Sequence, residues 1–317
     1  MSAFADKGYT RTAYHAGSWY SDRSSALASQ LSTWLASAKP FAKISSSSDS
    51  ENPSNHKHKD DRCVGVIAPH AGYSYSGPTA AWAYKNVNPE NVKRVFILGP
   101  SHHVYLENCA LSLANQYATP IGDLELDHSV AQELREKAPP GTFGIMSRRV
   151  DEDEHSIEMH LPYIMHVMRG HEFKIVPILV GNLNRESEEE MGKLLAPYVS
   201  SKENFFVVSS DFCHWGKRFR YMPYDSNDGE IYQHIEKLDR RGMDLIANQD
   251  IQGFNNYISE TRNTICGRHP IGVMLNALHF ASHDYNVTFT QYAQSSPCKS
   301  KSDSSVSYAS AVITSDH

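Results

Sequence analysis

No stretch of this 317-residue sequence is apolar for long enough to span a bilayer, which takes about 20 such residues. The first residues carry Asp6, Lys7 and Arg11 around no apolar core, so they do not read as a secretory signal. Positive charge is outnumbered, with 30 Lys and Arg against 36 Asp and Glu. A formal net charge of -6 and a pI near 6.3 offer nucleic acid no general field, and a nucleic-acid role is set aside. Cysteine is sparse too: Cys63, Cys109, Cys213, Cys266 and Cys298 are odd in number, widely spaced and free of any CxxC. That pattern fits reduced thiols in the cytoplasm, with the nucleus left open, rather than a disulfide framework. Without a signal, the sequon Asn286-Val287-Thr288 is taken as an ordinary surface stretch. The short zinc spacings are missing, since there is no HExxH, and so is the nucleophile elbow G-x-S-x-G.

What is present is an ordinary globular composition, 40% hydrophobic and 21% charged, with a high count of 17 histidines. Their placement is informative. Val64 to Ala68 is an apolar, β-branched run that ends in Pro69-His70-Ala71-Gly72. Val95 to Leu98 runs into Gly99-Pro100-Ser101-His102-His103, and Phe205 to Val208 into Ser209-Ser210-Asp211-Phe212-Cys213-His214. Three buried strands thus end in histidine-bearing loops. Open α/β sheets bind ligands beyond the carboxyl ends of their strands, so the three loops are predicted to meet at one site.

Along the chain, strands alternate with helices. Helices are predicted over Ser24 to Leu35, Thr79 to Tyr84, Ser129 to Lys137, Glu186 to Leu195, Glu230 to Ile246, and from a first-position Pro270 to about Ala281. Ile175 to Val180 is a further strand, Asp123 to Asp127 a short strand or turn, and Val287 to Phe289 and Ser305 to Ala309 late strands, some antiparallel. The expected fold is mixed α/β: a largely parallel central sheet flanked by helices, in a single domain over residues 1–317. Residues 39 to 62, rich in Ser, Lys and Asp, read as a mobile insertion, with His56 and His58 a weak metal tract within it. If Glu154 to Glu158 is helical, those two carboxylates share a face. Lys217 to Tyr221 is a small basic-aromatic patch, read as an exposed loop.

Two chemistries fit the residues at the strand ends. His70, His102, His103 and His214 suit a metal or acid/base site, with Cys213 and Cys266 as soft ligands. Ser209, Ser210, Asp211 and His214 supply the parts of a Ser/His/Asp hydrolase.

Six segments then carry a resemblance: His15 to Tyr20, Ala68 to Tyr73, Gly99 to His103, Asp151 to Pro162, Ser209 to Trp215 and Thr264 to Pro270. Together they closely resemble the Memo family, named for mediation of cell motility, over almost the whole chain. The main departure is the insertion at residues 39 to 62. The resemblance implies a fold similar to class III extradiol dioxygenases, which hold a non-haem iron by two histidines and a carboxylate. It places His70 and His102 at the histidine positions, Cys266 at the third, and His214 at the acid/base position with Asp211 beside it. A thiolate in place of the carboxylate softens the site toward copper, especially Cu(I), without excluding iron. The implied function is a copper or iron redox protein, a metal-dependent oxidoreductase of the cytoplasm linked to redox and motility signalling. The alternatives are an adaptor that binds phosphorylated receptor peptides or signalling proteins, and a true extradiol dioxygenase.

Overall fold

The computed structural model describes residues 8–41 and 62–315. His56, His58 and nearly all of the segment read as an insertion lie outside those residues. A nine-stranded mixed sheet organises the rest. Its centre is four parallel strands in the order Arg62–Ala68, Asn204–Ser209, Arg94–Pro100 and Lys174–Val180. Cys109–Leu111 runs antiparallel to the last of these and is followed by Phe143–Ile145. On the other side Ser305–Ser315 joins antiparallel to Arg62–Ala68 and itself pairs with Tyr285–Gln294 and with His214–Trp215. A parallel centre with antiparallel additions at its margins matches the alternation in the sequence, and the mixed α/β class is as expected.

Both faces of the sheet are buried, which is why its strands read as continuous apolar runs. Successive side chains alternate between two cores. Phe96, Leu98, Val176, Ile178, Phe206 and Val208 face one, while Val95, Ile97, Ile175, Phe205 and Val207 face the other. The first core is covered by helices Arg185–Val199, Ile231–Ala247, Ile251–Thr261 and Arg268–Phe280, the second by Ser24–Ser37, Tyr73–Tyr84 and Leu161–Val167. Each fully buried Leu, Ile, Val or Phe contributes roughly 1.5–3 kcal/mol, so these two layers dominate the stability.

Several boundaries differ from the sequence reading. The helix expected from Thr79 starts at Tyr73, directly behind His70-Ala71-Gly72, and runs through Pro78. Tertiary contacts override its poor local propensity: Tyr163 Oη donates to the Gly77 carbonyl at 2.7 Å, and a Cβ on Gly77 would lie 2.4 Å from the Trp34 ring. The last long helix begins at Arg268, which puts Pro270 third rather than first. The first-turn N–H groups of a helix have no internal partner, so proline is tolerated there as well. Helix Ile251–Thr261 was not predicted, and the two late strands are longer than expected. Leu124–Glu125, inside the alternating run Asp123 to Asp127, is a two-residue strand of a small second sheet with Thr10–Arg11 and Gln116–Tyr117.

Candidate metal centre

His70 leaves the end of its strand buried, with a relative exposure of 2%. Its ring Nδ1 lies 2.6 Å from Ser209 Oγ, and that hydroxyl donates in turn to the Ser156 carbonyl at 2.7 Å. The serine proton is therefore committed, so His70 Nδ1 must carry the hydrogen and Nε2 the lone pair. That lone pair points at the Cys266 thiol, 3.2 Å away. Burial, followed by the neighbouring histidines, holds His70 well below the ordinary imidazole value and keeps it neutral.

His102 is fixed by a carboxylate. Glu154 accepts the His102 backbone N–H at 2.7 Å on one oxygen and faces ring Nδ1 at 2.9 Å on the other, leaving Nε2 on the side of Cys266. Burial alone would lower the pKa of His102, but Cys266 and Glu154 outweigh it and lift the ring to about 10. Glu154 adopts an extended conformation between the short helices Arg148–Asp153 and His155–Glu158 and caps the second. Glu154 and Glu158 thus do not share a helical face: one serves His102 and the other His15 and Arg11.

Cys266 arrives from the loop before helix Arg268–Phe280. Its neighbour must be glycine, because a Cβ on Gly267 would lie 2.3 Å from the Ser209 carbonyl oxygen. Asp211 N–H donates to Cys266 Sγ at 3.3 Å, and burial raises the thiol above its ordinary value. The ligand atoms of His70, His102 and Cys266 all lie within 4.8 Å of one another. Metal–nitrogen bonds near 2.0 Å and metal–sulfur bonds near 2.3 Å require little contraction of such a triangle, so the residues fit a soft cation. A second grouping, His102, Glu154 and His155, also brings donor atoms together. There, however, the two imidazoles stack with centroids 4.4 Å apart and planes at 19°, so their in-plane lone pairs do not converge on one ion.

His70, His102, Asp211 and His214 line one pocket of about 860 Å³, together with Trp19 and His155. His103 is exposed and meets His155 edge-on. His214 Nδ1 lies 2.9 Å from the Phe212 carbonyl and 3.1 Å from that of Thr264. Carbonyls only accept, so Nδ1 carries the proton and Nε2 is the free base. Asp211 does not orient this ring, contrary to expectation: its carboxylate accepts the His70 backbone N–H at 2.9 Å. Burial, only partly offset by the backbone N–H groups of His70 and Ala71 and by the charge of His102, lifts Asp211 to about 7. The hydrolase alternative fails on geometry. Both serine hydroxyls are buried and committed, Ser209 to Ser156 and Ser210 to the Asp211 carbonyl. Cys213 is also buried away from the triangle, as a small hydrophobe beside Trp215.

Glu154, His155 and Trp19 were missed as site residues. Each lies in a segment that carried the resemblance, yet an acidic residue before a short helix looks like an ordinary cap.

The Memo-like protein family model matches residues 11–312. The chain is 50% identical to Protein MEMO1 of Danio rerio over 96% of this chain and 97% of that one. It is 48% identical to Protein MEMO1 of Homo sapiens over the same shares, and 44% identical to the memo-1 homolog of Caenorhabditis elegans over 96% and 83%. Among solved structures, an uncharacterized protein from Escherichia coli K12 superposes with a TM-score of 0.50 at 13% identity, covering 78% of this chain and 99% of that one. At that identity the likeness speaks for the fold alone. The matches over nearly the full length make this chain a member of the Memo-like protein family.

Proposed function

We propose that this chain is a cytoplasmic redox protein that binds copper or iron through His70, His102 and Cys266. The observation that carries the reading is the triangle of ligand atoms within 4.8 Å, two of them on imidazoles whose other nitrogen is already held. A bound copper or iron ion supplies one-electron exchange with oxygen species. The chain's own residues do the rest. Glu154 and Ser209 fix the tautomers of the two ligand rings and make their Nε2 atoms better donors. His214 Nε2 takes or gives a proton at the pocket wall, and buried Asp211 holds the His70 backbone in place. Output into redox and motility signalling follows from the family resemblance.

Glu154→Gln is expected to weaken metal affinity by roughly 10–100-fold, the usual effect of removing a partner of a ligating histidine. Titration of the metal-free protein against a competing chelator measures it; unchanged affinity would show that Glu154 only caps its helix.

Ring cleavage is not expected, despite a pocket like that of the non-haem iron dioxygenases. Fold does not carry function, and a thiolate at the third position favours a softer, lower-coordinate metal than catechol chemistry needs. The test is anaerobic loading with Fe(II), then a catechol panel and oxygen, with ring-opened product followed optically. Loading with Cu(I) in parallel is expected to change superoxide or peroxide formation. Robust ring opening would establish a dioxygenase instead.

One observation favours the adaptor reading. Arg218, Ser295, Ser296 and Ser304 line the same pocket, with Tyr75 61% exposed beside them. A cation amid serines and aromatics suits a phosphotyrosine side chain. Metal binding without turnover, together with saturable phosphopeptide binding lost in Arg218→Ala, would decide for it.

A further inference from the structure

Four of the five buried tyrosines of the second core, Tyr20, Tyr73, Tyr84 and Tyr163, are each at most 5% exposed. They stand in file. Ring centroids lie 5.4 Å apart from Tyr20 to Tyr73, 5.6 Å from Tyr73 to Tyr163, and 4.7 Å from Tyr163 to Tyr84, the last two rings being parallel within 6°. One end meets the pocket. Trp19 lines the pocket and precedes Tyr20, and its carbonyl accepts the Tyr73 N–H at 2.9 Å. The Trp19 ring lies 4.6 Å from His155, which stacks on His102.

Phenylalanine would fill this core without hydroxyls to satisfy. The hydroxyls have partners of different kinds. Tyr73 donates to the Met159 carbonyl and Tyr163 to that of Gly77, and neither carbonyl can take a proton. Tyr20 donates to Glu158, whose charge is already engaged by Arg11. Only Tyr84 faces a neutral imidazole, that of fully buried His160, whose Nδ1 lies 2.8 Å from its hydroxyl and whose other nitrogen has no partner; in the tautomer with the hydrogen on Nε2, Nδ1 is the base for the Tyr84 proton.

We propose that this file draws oxidising equivalents out of the pocket and that the Tyr84–His160 pair is where they come to rest. The oxidant is a hydroxyl radical, which hydrogen peroxide yields on meeting reduced iron or copper. It takes one electron from Trp19 and leaves as hydroxide. A tyrosine with a base for its proton reduces an oxidised indole at neutral pH, so the electron that fills the vacancy comes from Tyr84 and passes through the rings of Tyr163, Tyr73 and Tyr20. The Tyr84 O–H then breaks: its electron has gone down the file and its proton crosses to His160 Nδ1, leaving a neutral phenoxyl. In sum, one hydroxyl radical becomes hydroxide while one phenol and one imidazole become a phenoxyl and an imidazolium. A thiolate reductant of the solvent returns the electron, becoming a thiyl radical, and the proton goes back to Tyr84. Burial holds His160 down to about 3, yet an oxidised phenol is a far stronger acid, so the proton still moves to the ring.

The inference rests on the redox reading only for the source of the oxidant, so its test omits the metal. Azide radicals generated by pulse radiolysis oxidise tryptophan in the metal-free protein, and the decay of tryptophanyl absorption into tyrosyl absorption is followed. Wild type is expected to convert in a first-order step independent of protein concentration. Tyr84→Phe should lower the tyrosyl yield several-fold, and Tyr73→Phe and Tyr163→Phe should slow the conversion. His160→Gln, which keeps a hydrogen-bond partner but no base, should slow it too. Tyr105→Phe, at an exposed position off the file, should change nothing. Conversion of equal rate and yield in folded Tyr84→Phe and Tyr73→Phe would overturn the proposal, and would leave the metal reading to its own titration.

Discussion

Glu158→Ala is expected to lose about 3–5 kcal/mol of stability, the usual cost of breaking a buried ion pair from one side. Glu158 is fully buried and holds four groups at once. Arg11 Nη2 lies 2.7 Å from one oxygen and His15 Nδ1 2.9 Å from the same oxygen, while the other accepts His15 N–H and Tyr20 Oη, each at 2.8 Å. Arg11 is itself 1% exposed, so truncation leaves a guanidinium buried with less compensation. A domain is typically stable by only about 5–15 kcal/mol, so the loss is a large share of the whole. Denaturant titration measures it. Burial pushes the Glu158 carboxyl up, but His15 and Arg11 outweigh burial and hold it below its ordinary value of 4.5. The sign follows from linkage. A depressed carboxylate contributes stability that is fully present above its unfolded value and lost as pH falls through its folded one. Wild type should therefore lose stability below 4.5 more steeply than Glu158→Gln, which keeps an acceptor for Tyr20 but no charge to titrate. Parallel acid profiles for the two proteins would show that the pair carries little of the fold.

His214→Ala is expected to keep stoichiometric metal while redox turnover falls by roughly 10²–10⁴-fold, the range for removing a general acid or base. The geometry separates the two roles. His214 is outside the triangle of His70, His102 and Cys266, and its Nδ1–H is spent on two carbonyls. Its Nε2 is left for the proton exchange proposed at the pocket wall. Thr264→Val tests the positioning: Thr264 Oγ1 accepts the His214 backbone N–H at 2.7 Å, so its loss should lower turnover without moving metal content. Metal lost from a folded His214→Ala protein would make this histidine a ligand.

The three strand-end histidine loops were legible because buried parallel strands read as unbroken apolar runs, and the fold then brings their ends together. His70, His102 and His214 do line one pocket. Glu154 was hidden because its function depends on a break between two short helices at a residue that local propensity would carry through. The Arg11–Glu158 pair spans 147 positions of sequence, and nothing local in either segment announces the other. His155 was visible as a residue but not as a neighbour, since its stacking on His102 exists only once the two loops meet. The expected orienting role of Asp211 failed for a related reason. Proximity in sequence put it beside His214, whereas the turn of the chain aims its carboxylate at the backbone of His70.

His70, His102 and Cys266 are proposed to hold one copper or iron ion. The most direct measurement is metal content by mass spectrometry after anaerobic loading with Cu(I) or Fe(II) and desalting, for wild type, Cys266→Ala and His214→Ala side by side. One equivalent is expected in wild type and in His214→Ala, and a loss of most of it in a folded Cys266→Ala protein. Equal metal in wild type and Cys266→Ala, or none in wild type with either ion, would contradict it.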